Sequence, residues 1–475
     1  MDGTELPPNR KAQKLFEGNN MEPTYDRISN LPDSILLHIL SFMSTKEAIR
    51  TSTLSTRWRD LWVFLPIIDM DDGLKPESAE DSMLEKPWER NFMSKYSFVV
   101  LVSKALLYRD ALCLRKFCLG LNMSVSLRVF KGWISAAIDH NVEVLDLNLR
   151  EKTEYVFPSS FFISKSLCTL AITMYHTLVV PSRICFSSLK KLYLSGVEFQ
   201  DNESTELFFS GFPVLQQLAL YCCDWENLTT VTFKIPTLES FYFHAETTEN
   251  DVLDCTIELY AENLKYLKYT GYFIVELILC NISSLVYASI SLYDAVELDY
   301  QMKTEFAADL LDAIGSVKFL TISIETLKYL FHEDDFVILL PIFYNLIHLE
   351  MGVNPVGEDD YFAGKELTCF LQNTPNLLSL DIPVGINEFI LETVPDCFKS
   401  CLKSVSISVF EANLRELDFL NRLFASATAL EKVTILFYSK TIFNLEKQEK
   451  IKRDLQILRR KMGLEMVKVS FEYKF

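Results

Sequence analysis

One hydrophobic spacing recurs along this chain: apolar, two variable residues, apolar, one variable residue, apolar. It occurs as LRKFCL from Leu114, VEVLDL from Val142, LCTLAI from Leu167, LKKLYL from Leu189, LQQLAL from Leu215 and LESFYF from Leu238. It continues as LKYLKY from Leu264, LVYASI from Leu285, VKFLTI from Val317, LIHLEM from Leu346, LLSLDI from Leu377, LKSVSI from Leu402 and LEKVTI from Leu430, making 13 copies. Successive starts lie 21 to 32 residues apart, with a mean near 26. Side chains alternate across a strand, so the second and third apolar positions of each copy point to one side. The residues before, between and after them point to the other. Among those 39 outward positions only Val144 and Leu436 are Val, Ile, Leu or Met; most are Ser, Thr, Lys, Tyr, Asp, Gln or His. The contrast predicts about 13 parallel strands with one buried and one wet face.

A period in this range is that of leucine-rich repeats. The expected fold is therefore α/β: an irregular leucine-rich-repeat solenoid over residues 93–390, in which each repeat buries its apolar face only against its neighbours. The Asn or Cys that follows such motifs is present only as Asn122, Cys223 and Asn354. Most turns must then satisfy their backbone by other means. Uneven repeats follow, with loops expected at residues 294–305 and 354–364.

Ahead of the repeats, residues 27–62 read RISNLPDSILLHILSFMSTKEAIRTSTLSTRWRDLW. Asn30-Leu31-Pro32-Asp33 is a helix start, with Pro at the first helical position and an acid in the first turn. Ile35, Leu36, Ile39, Leu40 and Met43 then recur at helical spacing. Ser44-Thr45-Lys46-Glu47 is a capping box opening a second helix, striped by Ala48, Ile49 and Leu54. A third helical stretch runs from about residue 57 and carries Trp58, Leu61, Trp62 and Leu65. Three such short helices hold more apolar surface than they can bury among themselves. Periodicity alone leaves two readings open: an interface for a partner protein, or a helical cap packed on the following domain.

This segment resembles the plant F-box nearly residue for residue. The matching residues are Leu31, Pro32, Ile35, Leu36, Ile39, Leu40, Phe42, Leu54, Ser55, Arg57, Trp58, Leu61 and Trp62. Two departures stand out: Met43-Ser44-Thr45 where Leu-Pro-Thr is usual, and Thr56 where Lys is commoner. The resemblance implies a three-helix F-box at residues 26–68 that docks on the Skp-type adaptor of an SCF ubiquitin ligase. Leu31, Pro32, Ile35, Leu36, Ile39, Leu40, Leu54, Trp58, Leu61 and Trp62 would be its contacts. Residues 391–475 resemble the FBD region of plant F-box/LRR proteins. Val394-Pro395-Asp396-Cys397, Cys401 to Val405, a helical stretch at 411–425 with Leu414, Leu417, Leu420 and Leu423, and Leu430 to Ile435 carry that likeness. Ser426-Ala427 stands where the family has Asn-Ala, and its acidic run is reduced to Arg415-Glu416. An amphipathic helix at 446–461 and a strand at 467–473 close the chain. Solenoids need a terminal cap, and this FBD-like region would be it.

The resemblance implies a non-catalytic substrate receptor. The F-box would reach the cullin-RING machinery through the adaptor, and the concave face of the repeats would hold an unidentified protein target. The alternative is a repeat scaffold that takes no part in ubiquitination. Composition adjusts this picture only at the margins. A formal charge of −18 speaks against nucleic-acid partners. Eleven Cys without a C-x-x-C pair and six scattered His complete no zinc pattern, so no metal or cofactor is expected. Reduced thiols fit the cytoplasm or nucleus. The first 20 residues lack the apolar core of a signal peptide, and no apolar run is long enough to span a bilayer, so no membrane role is expected. Residues 1–25 read as disordered, 69–92 as a charged linker and 93–110 as a lead-in helix. No nucleotide-binding, nucleophile-elbow or zinc-protease motif occurs. The acidic runs at 333–335 and 358–360 and the basic residues at 452–453 and 459–461 read as solvated surface.

One feature of the wet face has site character. Tyr193, Tyr221, Tyr242, Tyr266 and Tyr287 fall at outward positions of five copies, with Lys191 and His244 near them. Exposed Tyr is enriched where proteins bind each other. Tyr also favours strands for its own sake, so both accounts stand at this level.

Overall fold

The structure is a computed structural model. It describes residues 28, 31–72, 95–107, 114–150, 153–246, 255–272, 275–293, 300–331, 340–352, 364–382, 394–408, 414–437, 445–461 and 467–473. The segment expected to be disordered, most of the charged linker, both acidic runs and the loop at 354–363 lie outside these residues. The chain divides into two compact units, one up to Leu65 and one from Pro66 onward.

In the first unit, helices span Asp33–Leu40 and Thr45–Arg50. Pro32 is the N-cap of the first helix, one place earlier than expected, and its carbonyl accepts from Ile35 and Leu36 N–H at 3.0 and 3.1 Å. The capping box forms as read. The Ser44 N–H donates to Glu47 Oε2 at 3.0 Å, and the Glu47 N–H donates to Ser44 Oγ at 3.3 Å. The Ser44 N–H, joined by the Ser44 hydroxyl at 2.9 Å, donates to the ionised acid and holds the Glu47 carboxyl below its usual range. The third helix is not an α-helix. Residues 56–60 form turns and Leu61–Phe64 a 3-10 turn. Local polar groups shape it: Ser52 Oγ donates to the Arg59 carbonyl at 2.9 Å, and Arg57 binds Asp33 and the Leu31 carbonyl at the start of the first helix.

Among the described residues of the second unit, 15 strands form one parallel sheet. Its strands are β1 (Ile67–Asp71), β2 (Lys116–Leu121), β3 (Val144–Leu149), β4 (Thr169–Met174), β5 (Lys191–Ser195) and β6 (Gln217–Tyr221). A separate strand, β7 (Thr230–Lys234), precedes β8 (Ser240–Ala245). Another, β9 (Cys255–Tyr260), precedes β10 (Tyr266–Tyr272), and β11 (Val275–Cys280) precedes β12 (Tyr287–Tyr293). Then follow β13 (Phe319–Ser323), β14 (His348–Gly352), β15 (Ser379–Ile382), β16 (Ser404–Ser408), β17 (Lys432–Phe437) and β18 (Lys468–Tyr473). The large sheet takes them in sequence order apart from β7, β9 and β11, which pair as a second parallel sheet in the order β11-β9-β7.

Every one of the 13 motifs begins two residues before a strand of the large sheet, so the pattern marks register as well as location. Both inward residues of each motif are buried, from Phe117 and Leu119 in β2 to Val433 and Ile435 in β17. The sheet also exceeds the expectation. β1 lies across the expected end of the F-box and the start of the linker, yet pairs with β2 from Ile67↔Lys116 to Asp71↔Gly120. β16, β17 and β18, in the region expected to be a distinct cap, simply continue the sheet in register. Residues 300–305, expected in a loop, open the helix Tyr300–Ala313.

Helices and turns on the return legs cover the inward side. Helix Lys95–Leu107 packs on helix Leu127–Asp139, with Trp133 Nε1 donating to Ser103 Oγ at 3.0 Å. The buried core is strongly aromatic around residues 186–233. Phe186 stacks on Phe212 at 5.2 Å, Phe209 meets Phe233 at 4.1 Å, and Trp225 lies 4.9 Å from Phe199. Where the polar ladder exists it does its expected work: the Asn122 N–H and side-chain amide donate to buried Asp72 at 2.7 and 2.8 Å, and the Cys223 thiol sits 3.8 Å from the Leu194 carbonyl. β10 carries one demanding backbone position. Gly271 has φ +126, and a Cβ there would lie 2.0 Å from the Ala245 carbonyl oxygen. Only glycine fits that approach.

Candidate functional site

Two surfaces have the character of binding sites, one on each unit. On the first unit, the helical stripe divides. Leu36 and Leu40 turn inward and join Trp58, Leu61 and Trp62 as buried side chains. These five of the ten expected adaptor contacts are therefore core residues, not surface: helix Asp33–Leu40 is apolar on more than one face and turns Leu36 and Leu40 inward, and the turns that follow bury Trp58, Leu61 and Trp62. Leu31 is half-buried, and Pro32 is exposed. Ile35, Ile39 and Leu54 remain outside, at 44, 39 and 67% exposure. Phe42 at 78% and Met43 at 40% belong with them. Phe42 meets the His38 ring in a T-shaped pair at 4.9 Å. Ile28, ahead of the first helix, is exposed at 56%; from the first helix onward the exposed apolar set is Ile35, Ile39, Phe42, Met43 and Leu54, held in place by the buried set beneath.

On the second unit, the wet face of the large sheet lines up its side chains in rows, because each strand pairs with the next without stagger. One row runs Lys191, Gln217, Ser240, Tyr266, Tyr287, Phe319 and His348. Its aromatic part is continuous: Tyr266 to Tyr287 at 6.5 Å, Tyr287 stacked on Phe319 at 4.4 Å, and Phe319 to His348 at 6.1 Å. The adjacent row brings Tyr242 to 5.2 Å from Tyr266. Tyr193, Tyr221 and Tyr266 all have phenols pushed above the usual range, first by burial and then by the nearby Tyr242 hydroxyl. Three phenols therefore gather around Tyr242, and Tyr287 extends them. Register places His244 beside Tyr221. Lys191 stands apart, with Gln217 and Ser240 between it and Tyr266. Phe319 and His348, which complete the strip, occupy outward motif positions just as the tyrosines do. Attention to Tyr alone passes over them, and the outward pattern itself was their signal.

Charged groups flank the strip. Toward the start of the sheet, Asp146 has its carboxyl raised by burial, with Lys116 opposing and Asp69 adding to the rise. Toward its end, Asp381 lies 3.7 Å from His348 and is also raised, first by burial.

At the edge of the strip lies a group that the sequence reading set aside. Cys222, His244 and Glu246 bring a thiol, an imidazole and a carboxylate within 4.8 Å of one another. His244 Nε2 is 3.5 Å from Glu246 Oε1. The Cys222 thiol is pushed up to about 12, by burial and then by its hydrogen bond to the Glu246 carboxylate. No zinc spacing marks this group in the sequence, because adjacent strands bring sequence-distant residues together. These three come from the ends of β6 and β8.

Comparison with known proteins gives the following. The F-box domain profile matches residues 28–68. The profile described as At1g61320/AtMIF1, LRR domain, matches residues 112–462, which takes in most of the region expected to be a separate cap. F-box/LRR-repeat protein At4g14096 of Arabidopsis thaliana is 32% identical over 362 residues, covering 75% of this chain and 72% of that protein. F-box/FBD/LRR-repeat protein At1g78750 is 28% identical over 438 residues, covering 86% and 89%. FBD-associated F-box protein At5g38590, also of Arabidopsis thaliana, is 28% identical over 424 residues, covering 86% and 93%.

Proposed function

We infer the role of this chain from its family: it belongs to the F-box/LRR-repeat proteins. We propose that it is the substrate-recognition subunit of an SCF-type ubiquitin ligase, without catalytic chemistry of its own. In this reading the F-box engages a Skp-type adaptor, and through it the cullin-RING machinery, while the wet face of the repeat sheet holds the protein target. Ubiquitin transfer then proceeds by proximity, since a target held near a charged conjugating enzyme has a high effective concentration. Such a receptor would act in the cytoplasm or nucleus. The FBD-like ending would be the solenoid's terminal cap.

One observation supports the reading most. Ile35, Ile39, Phe42, Met43 and Leu54 stay exposed in a segment that matches the F-box profile. Apolar side chains gathered at a surface mark an interaction site, and the buried Leu36, Leu40, Trp58, Leu61 and Trp62 hold them in position. The test is capture of the full chain by purified Skp-type adaptor. Wild type is expected to bind. Ile35→Asp combined with Leu54→Asp is expected to lose binding by at least about 100-fold while keeping the wild-type melting temperature. Equal binding by the double variant would remove the docking assignment, and the chain would then be a repeat scaffold outside ubiquitination.

A further inference from the structure

We propose that Cys222, His244 and Glu246 form a zinc site on the wet face of the repeat sheet. Thiolate, imidazole and carboxylate are the three donor types that zinc takes from proteins. A tetrahedral zinc with ordinary bond lengths holds its ligand atoms about 3.3–3.7 Å apart. The 3.5 Å between His244 Nε2 and Glu246 Oε1 already meets that spacing. The Cys222 sulfur, within 4.8 Å of both, needs only a small side-chain adjustment.

The backbone prepares this arrangement. Cys222 lies just past β6 with φ +50, a conformation rare for a residue with a side chain. It is held there by its N–H, which donates to the His244 carbonyl at 2.8 Å. That bond ties the cysteine to the strand that supplies the other two ligands. On the next strand Thr270, the register partner of His244, has a buried hydroxyl without a hydrogen-bond partner among the described residues. A buried hydroxyl left in this way calls for a partner, and a metal-bound water would be one. Three protein donors leave one tetrahedral position open. Tyr221 and His244 are register partners, so the site shares the face of the tyrosine strip. The site stands independently of any ubiquitin-ligase role.

The test uses the full chain, stripped by chelator and returned to zinc or to cobalt(II). The wild type is expected to retain one zinc by elemental analysis and to melt higher with zinc than without. With cobalt it should show the near-ultraviolet charge-transfer band of a cobalt–thiolate bond. Cys222→Gly keeps the positive φ while removing the thiol, so its metal-free form should melt at or above wild type. That variant should lose the cobalt band and weaken zinc binding at least about tenfold. His244→Gln should weaken zinc to a similar degree, while Cys185→Ser, a change at an exposed cysteine elsewhere, should leave both readouts intact. Absence of stoichiometric zinc in the wild type would overturn the proposal. So would a cobalt–thiolate band of full strength in Cys222→Gly.

Discussion

The two candidate surfaces differ in kind. The F-box surface is aliphatic with one phenyl ring, Phe42, and has no polar atom in its five principal side chains. The sheet surface is built of phenols, one phenyl, a histidine and flanking charges, each with a polar rim. A purely apolar patch gains only by being covered, which suits a partner that stays. Tyrosine brings large contact area at low entropic cost together with a hydroxyl that tolerates water. That suits a partner that comes and goes. The contrast teaches that exposure alone does not define a binding surface; the chemistry of what is exposed separates one such surface from the other.

The comparison rests on each surface having its own rigid support, and the strongest way to break it is to remove that support. Gly271 lies in β10, the strand that presents Tyr266. A Cβ at this position meets the Ala245 backbone at 2.0 Å with φ at +126, so β8 and β10 cannot keep their register. Gly271→Ala should cost about 4 kcal/mol or more, read as a large fall in the melting temperature of the repeat unit. Adaptor capture by the F-box should persist. If β10 tolerated the change, the support assigned to the tyrosine strip would be wrong.

A smaller effect separates core from surface within the F-box. Leu36 is fully buried and Ile35 is 44% exposed, although they are neighbours on one helix. Leu36→Ala should destabilise by about 2–5 kcal/mol, whereas Ile35→Ala should stay within about 0.5 kcal/mol. Adaptor binding should respond in the opposite order once the Leu36 variant is compared at a temperature where it is folded. Equal destabilisation by both substitutions would erase the division of the helical stripe.

That division marks where the sequence stopped being legible. The motif strands were readable to the residue because one spacing encodes strand, direction and inward face together. β7, β9 and β11 alternate as strands do, as in VELILC, and only their pairing shows that they form a second sheet. β1 and β18 carry the same spacing, as LPIIDM from Leu65 and MVKVSF from Met466, but outside the expected bounds of the solenoid. In the F-box, a helical spacing groups Ile35 with Leu36 and Ile39 with Leu40, and periodicity cannot say which of two apolar faces is inward. The tyrosine strip was visible as a list of outward residues, but its continuity through Phe319 to His348 depends on unstaggered pairing. Cys222, His244 and Glu246 were invisible for the same reason, since ligands drawn from two strand ends leave no local spacing.

Next in size is the strip itself. Tyr242 sits among Tyr193, Tyr221 and Tyr266, so its loss opens the centre of the cluster. Tyr242→Ala with Tyr266→Ala should weaken target capture about tenfold or more, measured once a target has been isolated on the repeat face. The melting temperature and adaptor binding should change little, because both rings stand on the wet side of the sheet. Loss of adaptor binding in this variant would mean that the two surfaces are not separate functions.

The smallest effect tests the charged flank. Asp146 has its carboxyl raised by burial, with Asp69 pushing the same way and Lys116 opposing. A carboxyl whose pKa is higher folded than unfolded binds its proton more tightly in the folded state. Its contribution to stability is therefore complete at pH below the unfolded value of 3.8 and is lost as pH rises through the folded value. At neutral pH the ionised Asp146 is a liability that the amide of Asn lacks. Asp146→Asn should melt about 1 °C above wild type at pH 7, with the gain fading toward pH 3.5 as both carboxyl states become protonated. A variant that melts lower at neutral pH would show that the Lys116 attraction outweighs burial, and that this flank is held together by its charges.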